Sequence, residues 1–188
     1  TLDNPWLGTL KQHIAGILGQ FYLPRLFTHC WVPGEPNAVY ARKLGFRGNK
    51  LYTGMYSADT ELFKKYEREI SSRKSEHFPH RFIYVGRYTE LKGIRELWSA
   101  FSKLSAEERK DWELWCLGKG ELEHELPVHP AIKNIGFVQP DKLAPYLEQT
   151  SVFILPTHYE HWGVVVHEFA AAGFPLVCST KTSAATFF

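Results

Sequence analysis

Two carboxylates eight positions apart, Glu160 and Glu168, bracket the stretch Tyr159-Glu-His-Trp-Gly-Val-Val-Val-His-Glu168-Phe-Ala-Ala-Ala-Gly-Phe-Pro175. Ahead of them, Ser151-Val-Phe-Ile-Leu-Pro156 reads as a strand. Val164 to Ala172 reads as a helix, which Gly173 and Pro175 stop. Glu160 is therefore expected on a strand-to-helix loop, and Glu168 about one turn into the helix. The backbone N–H groups of Trp162, Gly163 and Val164 should open that helix without intrahelical partners, which makes its start a ready anion site. Two acceptor side chains beside such a helix end suit a ligand that carries both hydroxyls and phosphates, as a nucleotide sugar does.

Cations stand on a second loop. Gly86, Arg87, Lys92 and Gly93 follow the strand-like Phe82-Ile-Tyr-Val85, and Gly118-Lys119-Gly120 follows Trp112-Glu-Leu-Trp-Cys-Leu117. Arg grips phosphate oxygens with a planar fork, and Lys supplies a point charge. A diphosphate held by Arg87, Lys92 and the helix end at Gly163 is physically coherent. No dinucleotide fingerprint is present, because Gly86 lacks a second and third Gly at the required spacing. Each residue also has a plainer role open to it. Glu168 could only complement the helix dipole, Glu160 could only cap the helix, Arg87 and Lys92 could be solvated, and Trp162 could be core. His158, His161 and His167 match no standard zinc spacing, so no metal is expected.

The elements that must position these residues change character along the chain. Residues 9–22 carry Leu10, Ile14, Ile17, Leu18 and Phe21 at helical spacing. Leu26 to Val32 reads as a strand ended by Pro33-Gly34, Pro36 to Leu44 as a helix, and Lys50 to Tyr56 as a strand. Glu61 to His80 is charged, with few apolar residues, and reads as a helix running into a linker. From Arg81 the rhythm is regular: strands at 82–85, 112–117, 132–138, 151–155 and 175–179, with helices at 92–104, 121–126, 141–149 and 164–172 between them. Pro145 inside the 141–149 helix conflicts with that reading. Alternation of strands and helices implies right-handed βαβ units and a parallel sheet. The expected fold is α/β, a Rossmann-like parallel sheet with flanking helices, whose ligands sit beyond the carboxyl ends of the strands.

The bulk properties are those of a globular chain of 188 residues, 44% hydrophobic and 22% charged. A net charge of +2 with scattered Lys and Arg gives no case for nucleic acid. Cys30, Cys116 and Cys178 lie in or beside apolar runs without a C-x-x-C pair, which suits reduced thiols. No leader or membrane-spanning run is apparent, so a cytoplasmic location is expected. The absence of Met at position 1 and the stop inside a patterned region suggest a piece of a longer protein.

With these residues assembled, the segment from Phe82 resembles the C-terminal half of family-4 retaining glycosyltransferases, which have the two-Rossmann-domain (GT-B) architecture. Val85-Gly-Arg87 with Lys92-Gly93 is similar to the family's Val-Gly-Arg…Lys-Gly element. Leu117-Gly118-Lys-Gly120 is similar to its second glycine turn, and Ile135-Gly-Phe-Val138 to a short strand that meets the base. Glu160-His-Trp-Gly163…Glu168, with Ala171, Gly173 and Pro175, is similar to its E-x7-E signature. The resemblance is dense over 80–180 and looser over 25–63. Trp162 stands where Phe is usual and Phe169 where Ala is usual, and Ser179 to Ala185 lacks the glycines often seen there.

The resemblance implies a boundary and a set of roles. Residues 1–62 would be a remnant of an N-terminal, acceptor-side Rossmann domain. Residues 63–80 would be a linker, and 81–188 a truncated nucleotide-sugar-binding domain. Arg87 and Lys92 would hold the donor diphosphate and stabilise the departing nucleotide, with Gly86 beside them and no metal or other cofactor. Glu160 would bond hydroxyls of the transferred sugar, and Glu168 those of the ribose. Backbone N–H groups of His161, Trp162, Gly163 and Val164 would contact sugar and phosphate, and the backbone of Phe137 and Val138 the base. The donor would be of UDP or GDP type. A carbohydrate or lipid acceptor would be bound by the missing N-terminal domain, and the full-length protein would take part in polysaccharide or glycolipid synthesis, with peripheral membrane contact among the expectations. The fragment alone would be inactive. Alternatives that share the architecture are an epimerase, a phosphorylase and a non-catalytic nucleotide-sugar-binding module.

Overall fold

A computed structural model describes the backbone of residues 1–188 and every side chain except those of Arg73, Ser75 and Thr186. The chain divides into two compact units, Thr1–Ser57 and Ala58–Phe188.

The first unit contains α1 (Leu10–Leu26), β1 (Cys30–Pro33), α2 (Glu35–Lys43) and β2 (Leu51–Gly54). Thr9 caps α1 by accepting the Gln12 N–H. The strands pair in parallel, Cys30 opposite Leu51. Val32, Ala38, Tyr40, Ala41, Leu44 and Phe46 form the core. Leu26, expected to begin a strand, closes α1 instead, and β1 starts at Cys30. The apolar row of α1 faces outward: Leu10, Ile14, Ile17, Leu18 and Phe21 are all at least 50% exposed. The helix is seated through Gly16 and Gly19, which are buried. A Cβ at Gly19 would approach Leu44 Cδ2 to 3.1 Å, so the missing side chain is what permits the close approach of α1 to α2.

The second unit runs α3 (Thr60–Glu76), β3 (Arg81–Val85), α4 (Ile94–Lys103), α5 (Ala106–Arg109), β4 (Glu113–Leu117), β5 (Ile132–Asn134), α6 (Ala144–Gln149), β6 (Val152–Leu155), α7 (Val164–Ala171) and β7 (Leu176–Cys178). Its five strands form one parallel sheet in the order β5-β4-β3-β6-β7, which is the Rossmann-like α/β fold expected from the alternation of patterns. Ile83 of β3 lies between Trp115 of β4 and Phe153 of β6. Ile83, Leu114, Phe153 and Leu155 are fully buried, as are Ile94, Leu147, Val166 and Phe169 of the covering helices. Burial of each large side chain contributes about 1.5–3 kcal/mol.

Several boundaries differ from the sequence reading. Residues 63–80, expected as a linker, belong largely to α3, a packed helix of the second unit. Phe63, Tyr66 and Ile70 form a buried stripe on it, at most 5% exposed, and Phe63 meets Phe169 of α7 at a ring distance of 6.3 Å. Three apolar residues at helical spacing are enough to seat a helix, yet they leave its composition polar. The helix over 141–149 is a 3-10 turn, Pro140–Lys142, followed by α6, so Pro145 lies in the first turn, where a missing N–H costs nothing. The strand over 132–138 stops at Asn134, whose side-chain oxygen accepts the Gly136 N–H at 3.1 Å while Gly136 takes φ 81°. That turn leaves Phe137 and Val138 in a loop. The 121–126 helix is one 3-10 turn, Glu123–Glu125.

Candidate functional site

The strand order places β3 and β6 side by side, with β4 and β5 wound to one side and β7 to the other. Chain order reverses at that pair. In open parallel sheets the crevice beyond the carboxyl ends of such a pair is where ligands bind. The loop after β3 carries Arg87 and Lys92, and the loop after β6 carries Glu160.

These loops are pinned by their main chains. Gly86 N donates to Leu117 O at 3.0 Å, Tyr88 N to Lys119 O at 3.0 Å and Gly118 N to Gly136 O at 2.9 Å. On the other side His158 N donates to Leu91 O at 2.9 Å, and the Thr157 hydroxyl donates to the same carbonyl at 2.6 Å. Contacts this close exclude side chains. A Cβ at Gly118 would stand 1.9 Å from Gly86 O, and one at Gly93 would stand 2.2 Å from Pro156 O. Gly93 also holds φ 64°, which turns the chain from the 3-10 turn Glu90–Lys92 into α4.

Lys92 and Glu160 meet at the centre. The Lys92 ammonium donates to Glu160 Oε2, and the two side chains are 19% and 15% exposed. The backbone of Glu160 is fixed as well. Its N–H donates to Lys181 O at 3.2 Å, it bridges to Thr182, and the Ser183 hydroxyl donates to its carbonyl at 3.4 Å. Gly163 precedes α7 with φ 93°. A Cβ there would lie 3.2 Å from Glu160 Cγ, so glycine lets the carboxylate stem lie against the helix start. Arg87 is exposed, and among the described residues no carboxylate pairs with it. Its carbonyl accepts the Tyr84 hydroxyl at 2.8 Å. Tyr84 is fully buried, and burial pushes its phenol well above the ordinary range. The Cys116 thiol and the Glu160 carboxylate push the same way, and the Arg87 guanidinium opposes them. The Tyr84 hydroxyl therefore senses both the cation and the anion of the site.

Glu168 lies on α7, partly buried. Burial raises its pKa, and the charge of Asp59 raises it further. Asp59 stands at the start of α3 and accepts the Leu62 N–H at 3.1 Å. Trp162 is core, 2% exposed, and its carbonyl accepts the Ala184 N–H at 2.8 Å. His161 is exposed, with its ring against Tyr159. Val164 is 37% exposed and Phe137 61%, while Val138 is partly buried. The structure thus joins Lys92 to Glu160, while Arg87 stands on the same loop as Lys92 with its carbonyl held by the Tyr84 hydroxyl. Among the described residues no hydrogen bond or ion pair ties Glu168, Phe137 or Val138 to that pair. His158 pairs with Glu96 at 2.9 Å, and among the described residues no cluster of His, Cys, Asp and Glu is gathered as for a metal ion.

Sequence reasoning passed over Tyr84, Asp59 and Thr182. Tyr84 reads as an ordinary strand residue, and only its position two residues before Gly86, where an added Cβ would come 2.9 Å from the Tyr84 hydroxyl, marks it out. Thr182 is buried at 1% exposure, and among the described residues its hydroxyl has no partner.

Residues 79–187 match the model of a protein family described as glycosyl transferases group 1. The chain belongs to that family. An uncharacterized glycosyltransferase of Methanocaldococcus jannaschii is 29% identical over 140 residues, which is 69% of this chain and 35% of that protein. Among solved structures, the group 1 chain superposes on WaaG, a glycosyltransferase involved in lipopolysaccharide biosynthesis, with a TM-score of 0.64 at 15% identity, covering 83% of this chain and 46% of WaaG. It also superposes on Anabaena HepE, solved in complex with UDP and glucose, with a TM-score of 0.61 at 15% identity, covering 84% and 46%. Likeness at that identity speaks for the fold. The chain spans about a third of the M. jannaschii relative's length and just under half of WaaG's. Among the described residues of this glycosyltransferase chain, no helix is long and apolar enough to cross a membrane.

Proposed function

We propose that Ala58–Phe188 is the donor-binding part of a glycosyltransferase that takes a nucleotide-diphosphate sugar of UDP or GDP type and transfers the sugar with retention of configuration, as family-4 enzymes do. The observation that carries this reading is the Lys92–Glu160 pair at the strand-order reversal, with the exposed Arg87, paired with no carboxylate among the described residues, on the same loop as Lys92. Lys92 neutralises Glu160, so Arg87 and the start of α7 are left to attract a diphosphate. Arg87 and Lys92 would then balance the charge that develops on the departing nucleotide, with no metal in the roles assigned. Glu160, already oriented by Lys92, would accept hydrogen bonds from the hydroxyls of the transferred sugar. Glu168 would accept from the ribose, and the Phe137 and Val138 backbone would meet the base. A carbohydrate or lipid acceptor would be held by the N-terminal part of the full-length protein, with transfer at the cytoplasmic side or at a membrane surface. The binding of UDP and glucose by HepE supports the donor class.

The test is calorimetric titration of the full-length protein with UDP, GDP and their hexose conjugates, followed by NMR assignment of the product's anomeric configuration. Micromolar binding of one nucleoside diphosphate that Arg87→Ala weakens by about 1.5–3 kcal/mol, the range for charged hydrogen bonds, is expected. A product of inverted configuration would overturn the retaining assignment, and equal weakening of nucleoside and nucleoside diphosphate would overturn the diphosphate role.

A further inference from the structure

The opposite end of the sheet holds a second chemically distinctive place. Ser151 and Pro175 immediately precede β6 and β7, so they mark the amino ends of those strands, away from the loops just described. A cavity of about 280 Å3 lies there, lined by Glu67, Ile70 and Lys74 of α3, by Phe78, and by Ser151 and Gly173, among others. Among the described residues Lys74 is its only amine. The Lys74 ammonium stands 3.5 Å from the centre of the Phe174 ring. Among the described residues that ring face is its one favourable partner. Among the described residues no carboxylate or carbonyl pairs with Lys74, although Glu67 borders the same cavity. The residues between α7 and β7, Ala172, Gly173 and Pro175, bring no charge, and Ser151, just before β6, brings only a hydroxyl.

An aromatic face offsets little of the cost of withdrawing an ammonium from water. Burial accordingly pushes the Lys74 amine down to about 7. At neutral pH a large share of it is the free base, which has the lone pair that a nucleophile requires. An uncharged amine at the wall of an open cavity can be reached by a small electrophile, and the product of acylation is an uncharged amide that no longer carries the desolvation cost.

We propose that Lys74 is a covalent acylation site, and that the cavity between α3 and the end of α7 admits acyl phosphates of about acetyl size. The free amine attacks the carbonyl carbon, and a nitrogen–carbon bond forms. The carbon–oxygen bond to phosphate breaks, and inorganic phosphate leaves with the electron pair. The proton lost from nitrogen passes to water, so no oxidant or further reactant is needed.

The test uses the full chain with acetyl phosphate between pH 6 and pH 9, with initial rates read site by site from peptide mass spectra. The exposed Lys103 serves as the reference. An ordinary lysine amine titrates near 10.4, so its rate climbs throughout that range. Lys74 is expected to react about tenfold faster than Lys103 at pH 7 and to level off by about pH 8. Ser71→Glu, at the cavity rim one turn before Lys74 on α3, supplies a counter-ion and should slow Lys74 about fivefold at pH 7 with Lys103 unchanged. Equal rates for Lys74 and Lys103 at pH 7, parallel climbs to pH 9, or no effect of Ser71→Glu would each overturn the assignment.

Discussion

Replacing Lys92 by Met removes the ammonium from a pair whose carboxylate, Glu160, is only 15% exposed. Removing one partner of a fully buried pair costs about 3–5 kcal/mol, because the other charge is left without compensation. Both side chains retain some water contact, so about 2–3 kcal/mol is the expected loss for Lys92→Met at pH 7. That corresponds to a fall of roughly 5–10 °C in the melting midpoint. In the double variant Lys92→Met/Glu160→Gln the stranded charge is gone, and the loss should shrink to about 1 kcal/mol. Urea melts of the wild type, both single variants and the double variant give the coupling energy directly. Nucleotide titration separates structure from function in the same set of proteins. The double variant should recover stability yet bind UDP or GDP about tenfold or more weakly, since neither substitution restores a cation for the phosphates. Two results would refute the reasoning. One is a loss below about 0.5 kcal/mol for Lys92→Met, which would mean the pair is solvated in effect. The other is a double variant as unstable as the sum of the singles, which would mean the two residues do not interact.

Three further outcomes are expected. Gly118→Ala should cost more than about 3 kcal/mol or abolish folding, because its Cβ would stand 1.9 Å from Gly86 O, whereas Gly48→Ala, with nothing within 4 Å but φ 53°, should cost only about 1 kcal/mol; thermal melts compare them. Burial, then Asp59, raises the Glu168 pKa, so this group favours folding below its unfolded pKa of about 4.3 and loses that contribution as pH rises through the higher folded value. Glu168→Gln should therefore raise the melting midpoint at pH 7, the gain closing near pH 4, while weakening nucleotide binding; a lowered midpoint at pH 7 would contradict this. Burial works against the Glu113 carboxylate, but hydrogen bonds from Arg81, Lys133 and Trp115 outweigh it and hold it at about 2. Its stabilisation is then present above about pH 5 and lost as pH falls toward 2, so Glu113→Gln should cost about 1–2 kcal/mol at neutral pH and nothing at pH 2 in urea melts.

What the sequence revealed of the fold depended on how local each signal is. β3, β4 and β6 are short apolar runs that end at a glycine or proline, and the chemistry-bearing loops follow those breaks, so Arg87, Lys92 and Glu160 could be placed on one rim of the sheet from pattern alone. The boundaries that went astray were set by single contacts. Gly136 adopts a positive φ and its N–H donates to the Asn134 side-chain oxygen, and so β5 ends early. Pro145 sits where a helix starts rather than inside it. The apolar spacing on α1 identified a helix but not its buried face, because glycines do the seating. In the candidate site, the partnership of Lys92 with Glu160 joins residues 68 positions apart, and no local pattern announces it. Tyr84 and Asp59 act through distances that exist only once β3, α3 and α7 have packed.

The rim of the sheet is fastened by peptide groups: Gly86 to Leu117, Tyr88 to Lys119, Gly118 to Gly136, and His158 to Leu91. Every residue except proline supplies the same donor and acceptor, so this fastening places little demand on the exposed side chains it displays. Arg87, Lys119, Phe137 and His161 are therefore open to substitution without disturbing the loops that carry them. The glycines are not. On the proposed donor-binding reading, a lineage could retune which base or sugar such a rim accepts, one outward side chain at a time, while its few crowded backbone crossings stay immovable, and a library that varies Lys119, Phe137 and His161 and spares Arg87, Gly93, Gly118 and Gly163 would sample new preferences from an intact scaffold.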